Sequence, residues 1–435
     1  MSTQGMMSVD YSRTRDASID NPWVRAASGC VVFAAAAPLL LPLGDWWALA
    51  ALLVWGLLLL TAHRPFVDSR PVAFRLMIGA LVAFTLAEAL AATWHGTWPQ
   101  AWPMVAIGAL AALTWCCWSR LVVPLASLWI GFALAGIGVG GWALWQSLVV
   151  DVTRADGHAE MHAILFGNLG LLSGLLCFAG LAWVWHQRVA GRLPLWWWWL
   201  LGAGAGGGLL ASLLSGTRGG WIAMPLALLV FYRGYAYRWP LVWRGSALFG
   251  LVVFAALAYA IPQTGVQLRV GAAVEEVQDY QDGEARGSVG MRLEMYRGAG
   301  MLILEQPWVG RGHDGYQPAM QELVDEQRLP PGLGRYWHAH NDLMDAWVRR
   351  GLPGLLAVVA LYALPLWHFS RRLRTTLSAQ RSIAVAGLLI PVAFIDFGLS
   401  YAFFAYPVGI AVYACWLLLF WRASDTGHKA QPKAV

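Results

Sequence analysis

The chain has 435 residues, of which 58% are apolar and 12% charged, with 27 tryptophans and a formal net charge of +6. A soluble domain carries about 25% charged residues, so this composition excludes a water-soluble globule and a disordered chain. The basic residues sit at the ends of apolar runs, which argues against nucleic acid as a partner and fits membrane topology.

Residues 1–25 are polar and lack the apolar stretch and small-residue cleavage site of a signal peptide, so the first span is expected to be an uncleaved anchor. Twelve spans are predicted, at 27–43, 46–63, 74–94, 100–118, 121–149, 161–185, 194–214, 219–232, 245–263, 351–370, 382–400 and 402–421. All but the short eighth approach the roughly 20 residues that cross hydrocarbon, and the eighth is expected to extend through Tyr235. The runs are continuous rather than alternating, which argues against a transmembrane β-barrel. The expected fold is therefore an all-α, polytopic membrane protein.

Charge assigns the sides. Connections on one side hold Arg13, Arg15 and Arg25, then Arg64, Arg70 and Arg75, then Arg120, Arg188 and Arg192, then Arg233, Arg238 and Arg244, then Arg371, Arg372, Arg374 and Arg381. Opposite short connections, at 44–45 and 95–100, hold neither Arg nor Lys. The alternation predicts an even number of spans with both termini cytoplasmic. Three regions follow: spans one to nine within 1–261, a large non-cytoplasmic loop at 262–350, and spans ten to twelve with a tail at 351–435. The five cysteines lie in apolar runs without metal-site spacing and read as small core residues.

The loop carries Arg269, Arg286, Arg292, Arg297, Arg311, Arg328, Arg335, Arg349 and Arg350, an excess that topology does not require. Within it, 291–304 reads as an amphipathic helix with Arg292 and Glu294 on a polar side. Residues 339–350 read as a second helix leading into span ten, and 330–334 as a turn.

Three features on the non-cytoplasmic face carry candidate chemistry. Between spans seven and eight, Ser215-Gly216-Thr217-Arg218-Gly219-Gly220 puts Arg218 at the mouth of the bundle. Its guanidinium is a planar, always-charged fork suited to phosphate; the alternative is an interfacial arginine reaching for water. Arg154, Arg286, Arg292 and Arg297 extend this basic set, which suits a pyrophosphate-linked lipid. Pairing with Glu275, Glu276, Asp282 and Glu284 is the plainer alternative.

The third feature is Trp337-His338-Ala339-His340-Asn341-Asp342. An imidazole here can serve as a general base. The His-x-His-x-Asp run also resembles part of the metal site of metallo-β-lactamase-like hydrolases, but that run normally ends in another His, where Leu343 stands here. A structural pair capping span ten is the third alternative. If these residues are helical, Asp342 lies four after His338 and orients it. His162 and Asn168, at the outer end of span six, are placed to line the same cavity. Glu88 and Asp396 are intramembrane acids, suited to a proton relay or to helix packing.

At these residues the chain resembles the O-antigen ligase/polymerase superfamily of bacterial envelope glycosyltransferases. His340-Asn341, a nine-residue gap and Gly351-Leu352-Pro353-Gly354 are similar to its His…Gly-x-x-Gly motif. Ser215-Gly216-Thr217-Arg218 resembles its Ser-x-Ser/Thr-Arg segment, and Gly310-Arg311-Gly312 its Gly-x-Gly turn. The resemblance implies transfer of a glycan from undecaprenyl pyrophosphate to a lipid A–core hydroxyl, in the outer leaflet of the bacterial inner membrane, without metal, nucleotide or other cofactor. It implies that Arg218, Arg292 and Arg154 hold the pyrophosphate, with His340 as base and His338 sharing or orienting it. A polymerase that extends the lipid-linked chain is the alternative within the superfamily. A transporter is the alternative outside it, and would show repeat symmetry and mid-membrane charge.

Overall fold

The computed structural model describes residues 22–62, 71–118, 123–158, 161–217, 219–222, 224–260, 287–375 and 378–426, with 267, 271, 274–276 and 278 between them. Fifteen named helices organise these residues, and no strand occurs among them. They are α1 (Pro22–Leu40), α2 (Gly44–Ala62), α3 (Val72–His95), α4 (Trp98–Cys117), α5 (Leu125–Trp145), α6 (Ala163–Val189), α7 (Trp196–Leu214), α8 (Gly219–Ile222), α9 (Met224–Gly234), α10 (Leu241–Ala260), α11 (Ser288–Glu305), α12 (Tyr316–Asp325), α13 (Asp342–Arg372), α14 (Ser378–Ser400) and α15 (Pro407–Thr426).

Ten of the described helices are long and apolar enough to cross a membrane, so the chain is an all-α, polytopic membrane protein. Each overlaps one of the predicted spans. The predicted eighth span forms two short pieces, α8 and α9, and the ninth corresponds to α10.

The helices pack in two ways. Along α5 and α7, glycines let the backbones touch, as small residues do between membrane helices. A Cβ on Gly136 would lie 2.1 Å from the Gly204 carbonyl oxygen, closer than atoms pack. Elsewhere large aromatics fill the bundle. Helix α15 is apolar on all sides, and every residue from 410 to 421 is fully buried, which places it at the centre. Trp421, Trp115 and Phe74 meet around it, with Trp115–Trp421 centroids 5.5 Å apart. Cys177 and Cys415 are buried core residues as expected.

The loop differs from expectation at two points. Helix α11 spans Ser288–Glu305, but Glu294 is buried rather than on an exposed polar side, and pairs with Arg297 at 3.1 Å. The second loop helix begins at Asp342, not Ala339, because the Asn341 side chain caps it by accepting from the Leu343 and Met344 N–H groups at 3.1 Å each. Residues 337–341 precede the helix, so Asp342 does not orient His338. Its carboxylate instead accepts from the Phe404 N–H at 2.7 Å and the Tyr362 hydroxyl at 2.7 Å.

Helix α13 is broken once, at Gly351, whose φ of 65° and ψ of −166° interrupt the helical path. The turn around Gly310 closes onto this break. Arg311 N–H donates to Val348 O at 2.7 Å, Gly312 N–H to Arg349 O at 2.9 Å, and Leu352 N–H to Pro307 O at 2.9 Å. A Cβ on Gly351 would sit 2.1 Å from Trp308 O, so only glycine fits. The glycines of two separate sequence motifs thus form one backbone clasp. It fixes the direction in which the first half of α13 carries the histidine segment.

A buried ion network ties this clasp to the bundle. Glu88 on α3 bonds Arg350 through Nε and meets His313 Nδ1 at 3.2 Å. Asp345 lies 3.5 Å from Arg349 and 4.0 Å from Arg350, and all four charged side chains are buried. Arg350 also donates to Phe404 O at 2.9 Å, and His95 Nε2 meets Gly310 O at 2.9 Å.

Candidate active site

The ends of α3, α5, α6, α7, α13, α14 and α15 meet at one end of the bundle, where the histidine segment lies. Ala339 N–H donates to Asp345 Oδ1 at 3.2 Å, pinning the residue between the two histidines. His340 adopts φ of 51°, a left-handed conformation uncommon outside glycine. Tyr296 on α11 donates to the His340 carbonyl at 3.2 Å and to Leu399 O at 2.6 Å. The loop helix, the histidine segment and α14 are thereby joined.

Hydrogen bonding separates the two rings. His338 Nδ1 accepts from the His340 N–H at 3.1 Å. A backbone N–H only donates, so that nitrogen carries no proton and neutral His338 is protonated at Nε2. Nε2 lies 3.3 Å from the Tyr406 hydroxyl, which is hydrogen-bonded in turn to the Tyr401 hydroxyl. Both nitrogens of His338 are therefore engaged, and the residue is buried. His340 Nδ1 lies 3.3 Å from the His338 carbonyl, which only accepts. Neutral His340 is then protonated at Nδ1, leaving Nε2 with an open lone pair. His340 is half-buried rather than sealed.

Charge and burial keep these rings neutral. Burial, with the positive charge of Arg292, lowers the His340 pKa to about 4, against the raising effects of its bond to the His338 carbonyl and of Asp345. Burial, with the neighbouring His340 and Arg349, holds His338 well below the usual imidazole range. Burial and Arg154 lower His162.

His162 lies alongside. Its ring is parallel to Tyr401 with centroids 6.3 Å apart, and its Nδ1 caps α6 by accepting from the Ile164 N–H at 3.3 Å. Arg154 Nε donates to Ser215 O at 2.9 Å, against the turn that follows α7. In that turn Ser215 and Thr217 hydroxyls bond at 2.7 Å, and Thr217 donates to Ala163 O at 3.0 Å. Arg218 and Arg286 lie outside the described residues; Thr217 and Gly219 flank the first of them, and Gly219 packs against Ser400.

The arginine excess of the loop divides. Arg297, Arg311, Arg328, Arg349 and Arg350 each meet a carboxylate, at Glu294, Glu305, Glu326, Asp345 and Glu88 respectively. These are structural pairings. Arg297 further donates to Arg328 O, so its described contacts run within the loop and not to the histidines. Arg292 has no carboxylate partner among the described residues and sits where its charge reaches His340. The set brought together is thus His338, His340, His162, Arg292 and Arg154.

Sequence reasoning missed Tyr401 and Tyr406. The predicted twelfth span, 402–421, absorbed Tyr406 because Phe403 and Phe404 continue the apolar run. The helix instead starts at Pro407, after a short 3₁₀ turn. The available signal was two tyrosines flanking the connection at the histidine end. Glu88 proves to be a packing and pairing residue. Asp396 is buried on α14 with Oδ2 unpartnered, and Asn168 is buried with its amide unpartnered. Among the described residues, no group of three or more His, Cys, Asp or Glu is placed to hold a metal ion.

Comparison with known proteins bears on this site. Residues 203–359 match the family described as O-antigen ligase. That stretch contains Arg218, Arg292, both histidines and Gly351. A curated protein of Haemophilus influenzae, described as uncharacterized, is 27% identical over 217 residues, covering 49% of this chain and 53% of that protein. An O-antigen ligase of Escherichia coli is 22% identical over 151 residues, covering 34% of this chain and 36% of that protein. The matches therefore span about half and about a third of the relatives' own lengths.

Proposed function

With residues 203–359 in the O-antigen ligase family, we propose that this chain transfers a glycan from undecaprenyl pyrophosphate to a sugar hydroxyl of lipid A–core. The reaction is placed at the periplasmic face of the bacterial inner membrane, with both termini cytoplasmic. The observation that carries this reading is the open Nε2 of a neutral, half-buried His340 beside Arg292, which meets no carboxylate among the described residues. A base and an anion-binding group are what an inverting transfer from a pyrophosphate donor requires.

His340 Nε2 takes the proton of the acceptor hydroxyl as that oxygen attacks the anomeric carbon. The bond from that carbon to the pyrophosphate oxygen breaks, its electron pair leaves with undecaprenyl pyrophosphate, and configuration inverts. Arg218, Arg292 and Arg154 hold the pyrophosphate and stabilise its developing charge; His162 borders the same space. Arg286 is assigned to the outer part of the donor path, and Arg297, paired with Glu294 and the Arg328 carbonyl, to holding the loop there. His338, with no free nitrogen, positions His340 through their reciprocal backbone contacts, and Tyr406 and Tyr401 fix the His338 ring.

The test is a reaction of the purified protein with undecaprenyl-pyrophosphate glycan and rough lipopolysaccharide, in chelator, read by gel shift. The expected product is glycan-bearing lipopolysaccharide, and Arg218→Lys yields none because an ammonium cannot replace the planar fork. A longer lipid-linked chain formed without the acceptor would identify a polymerase instead.

The pH dependence follows from His340. Its folded pKa of about 4 keeps the base neutral well below the about 6.5 of an ordinary imidazole. Initial rates at low substrate should stay level from about pH 8 to about pH 5 and fall as pH drops through about 4. An acid limb centred near 6.5 would remove His340 as this buried base. The same shift makes the unfolded chain bind the extra proton more readily, so stability declines as pH falls from about 6.5 toward about 4.

A further inference from the structure

At the end of the bundle away from the histidines, a groove of about 1220 Å³ opens between α9, α13 and α14. Its inner wall is apolar, formed by Val230, Leu366, Leu388 and Val392, and its rim carries Arg233, Arg238, Arg371 and Arg374. The lining runs from Leu366 to Arg371 on α13 and from Leu388 to Val392 on α14, so the walls extend about 6–8 Å along each helix at 1.5 Å per residue.

The rim is organised and, among the described residues, has no acidic counterpart. Arg238 donates to the Arg374 and Thr375 carbonyls at 3.2 Å each, bridging α13 to the turn after α9. The Arg371 guanidinium stands 5.2 Å from the centre of the Trp367 ring. No Asp or Glu occurs from 161 to 274 or from 346 to 395. None of the four arginines meets a carboxylate among the described residues, whereas nearby Arg372 and Arg422 share Asp425 at 3.2 and 3.1 Å.

Topology alone explains arginines at helix ends. It does not explain four of them converging on the mouth of one apolar cleft. A water-soluble anion has no use for the apolar wall, and a zwitterionic lipid leaves the guanidiniums uncompensated. We propose that this groove binds an anionic glycerophospholipid, with its phosphate on the arginine rim and an acyl chain along Leu366, Leu388 and Val392. Basic pockets between membrane helices hold such head groups. The site lies in the leaflet opposite the transfer site and is independent of the reaction assigned there.

The test is native mass spectrometry of the full chain released from nanodiscs of phosphatidylglycerol and phosphatidylcholine with matched acyl chains. Wild type should retain phosphatidylglycerol preferentially. Arg371→Gln/Arg374→Gln should weaken retention about fivefold for each arginine removed, and Val392→Phe, which fills the cleft without changing charge, should also reduce it. Arg192→Gln, off the groove, should behave as wild type. Equal retention of the two lipids overturns the proposal, as does full phosphatidylglycerol retention by both groove variants in folded protein. Displacement of phosphatidylglycerol by undecaprenyl phosphate at equal concentration, or a dimer that excludes lipid, assigns the groove to another occupant and overturns it as well.

Discussion

Replacing His340 with alanine is expected to lower the transfer rate by about 10²–10⁴-fold, the contribution of a positioned general base, while the protein remains folded in detergent. The ring leaves a half-buried position at the edge of the loop, and the contacts that hold the segment are main-chain ones. Ala339 N–H to Asp345, and Tyr296 to the His340 carbonyl, both survive the substitution. Tyr406→Phe provides the contrast. It removes the acceptor facing His338 Nε2 and leaves a buried donor unsatisfied, so kcat should fall about tenfold with KM little changed. Its pH profile should keep the acid limb of the wild type, since the base itself is intact. Initial rates with purified protein in chelator decide both. A His340→Ala enzyme within about threefold of wild type would end the assignment of the base.

The second large effect concerns stability. Glu88→Gln leaves the Arg350 guanidinium buried against Phe84 with its bonded counter-charge gone and only the longer 4.0 Å contact to Asp345 remaining. Breaking a buried pair by removing one partner costs about 3–5 kcal/mol. The double variant Glu88→Gln/Arg350→Met removes both charges and should recover most of that loss, because neither side is left uncompensated. Thermal unfolding in one detergent, with the four proteins of the cycle side by side, measures this. A single variant as stable as wild type would mean that water reaches the pair.

Fold class was legible because the apolar runs are long and continuous, and their length alone specifies membrane helices. Ten predicted spans have helices of sufficient length in the structure. What failed was local. The start of α13 was misplaced because Ala339 and His340 carry no turn signal, and the cap falls to Asn341, a residue equally at home inside a motif. Tyr406 was lost in an apolar run whose break is a main-chain event. Arg349 and Arg350 counted toward a loop arginine excess that topology does not require. Their pairing with Asp345 and with Glu88, more than 250 residues away in sequence, is visible only once the loop is docked. His338 and His340 could not be ranked from spacing, because the ranking depends on which nitrogen faces a backbone donor and which faces a carbonyl.

The interruption at Gly351 has a mechanical side. Because the helix hands its hydrogen bonding over to Pro307 at that point, the membrane-crossing half of α13 does not dictate the angular setting of residues 342–350. That setting comes from the glycine clasp, so nine residues act as an indexed spoke turned from a fixed hub. Each residue inserted or deleted in the spoke would swing the imidazoles by about 100° while the transmembrane part stayed in place. Spacing between His340 and Gly351 is therefore an angle written as a residue count, and it is the quantity to hold constant when this loop is grafted or redesigned.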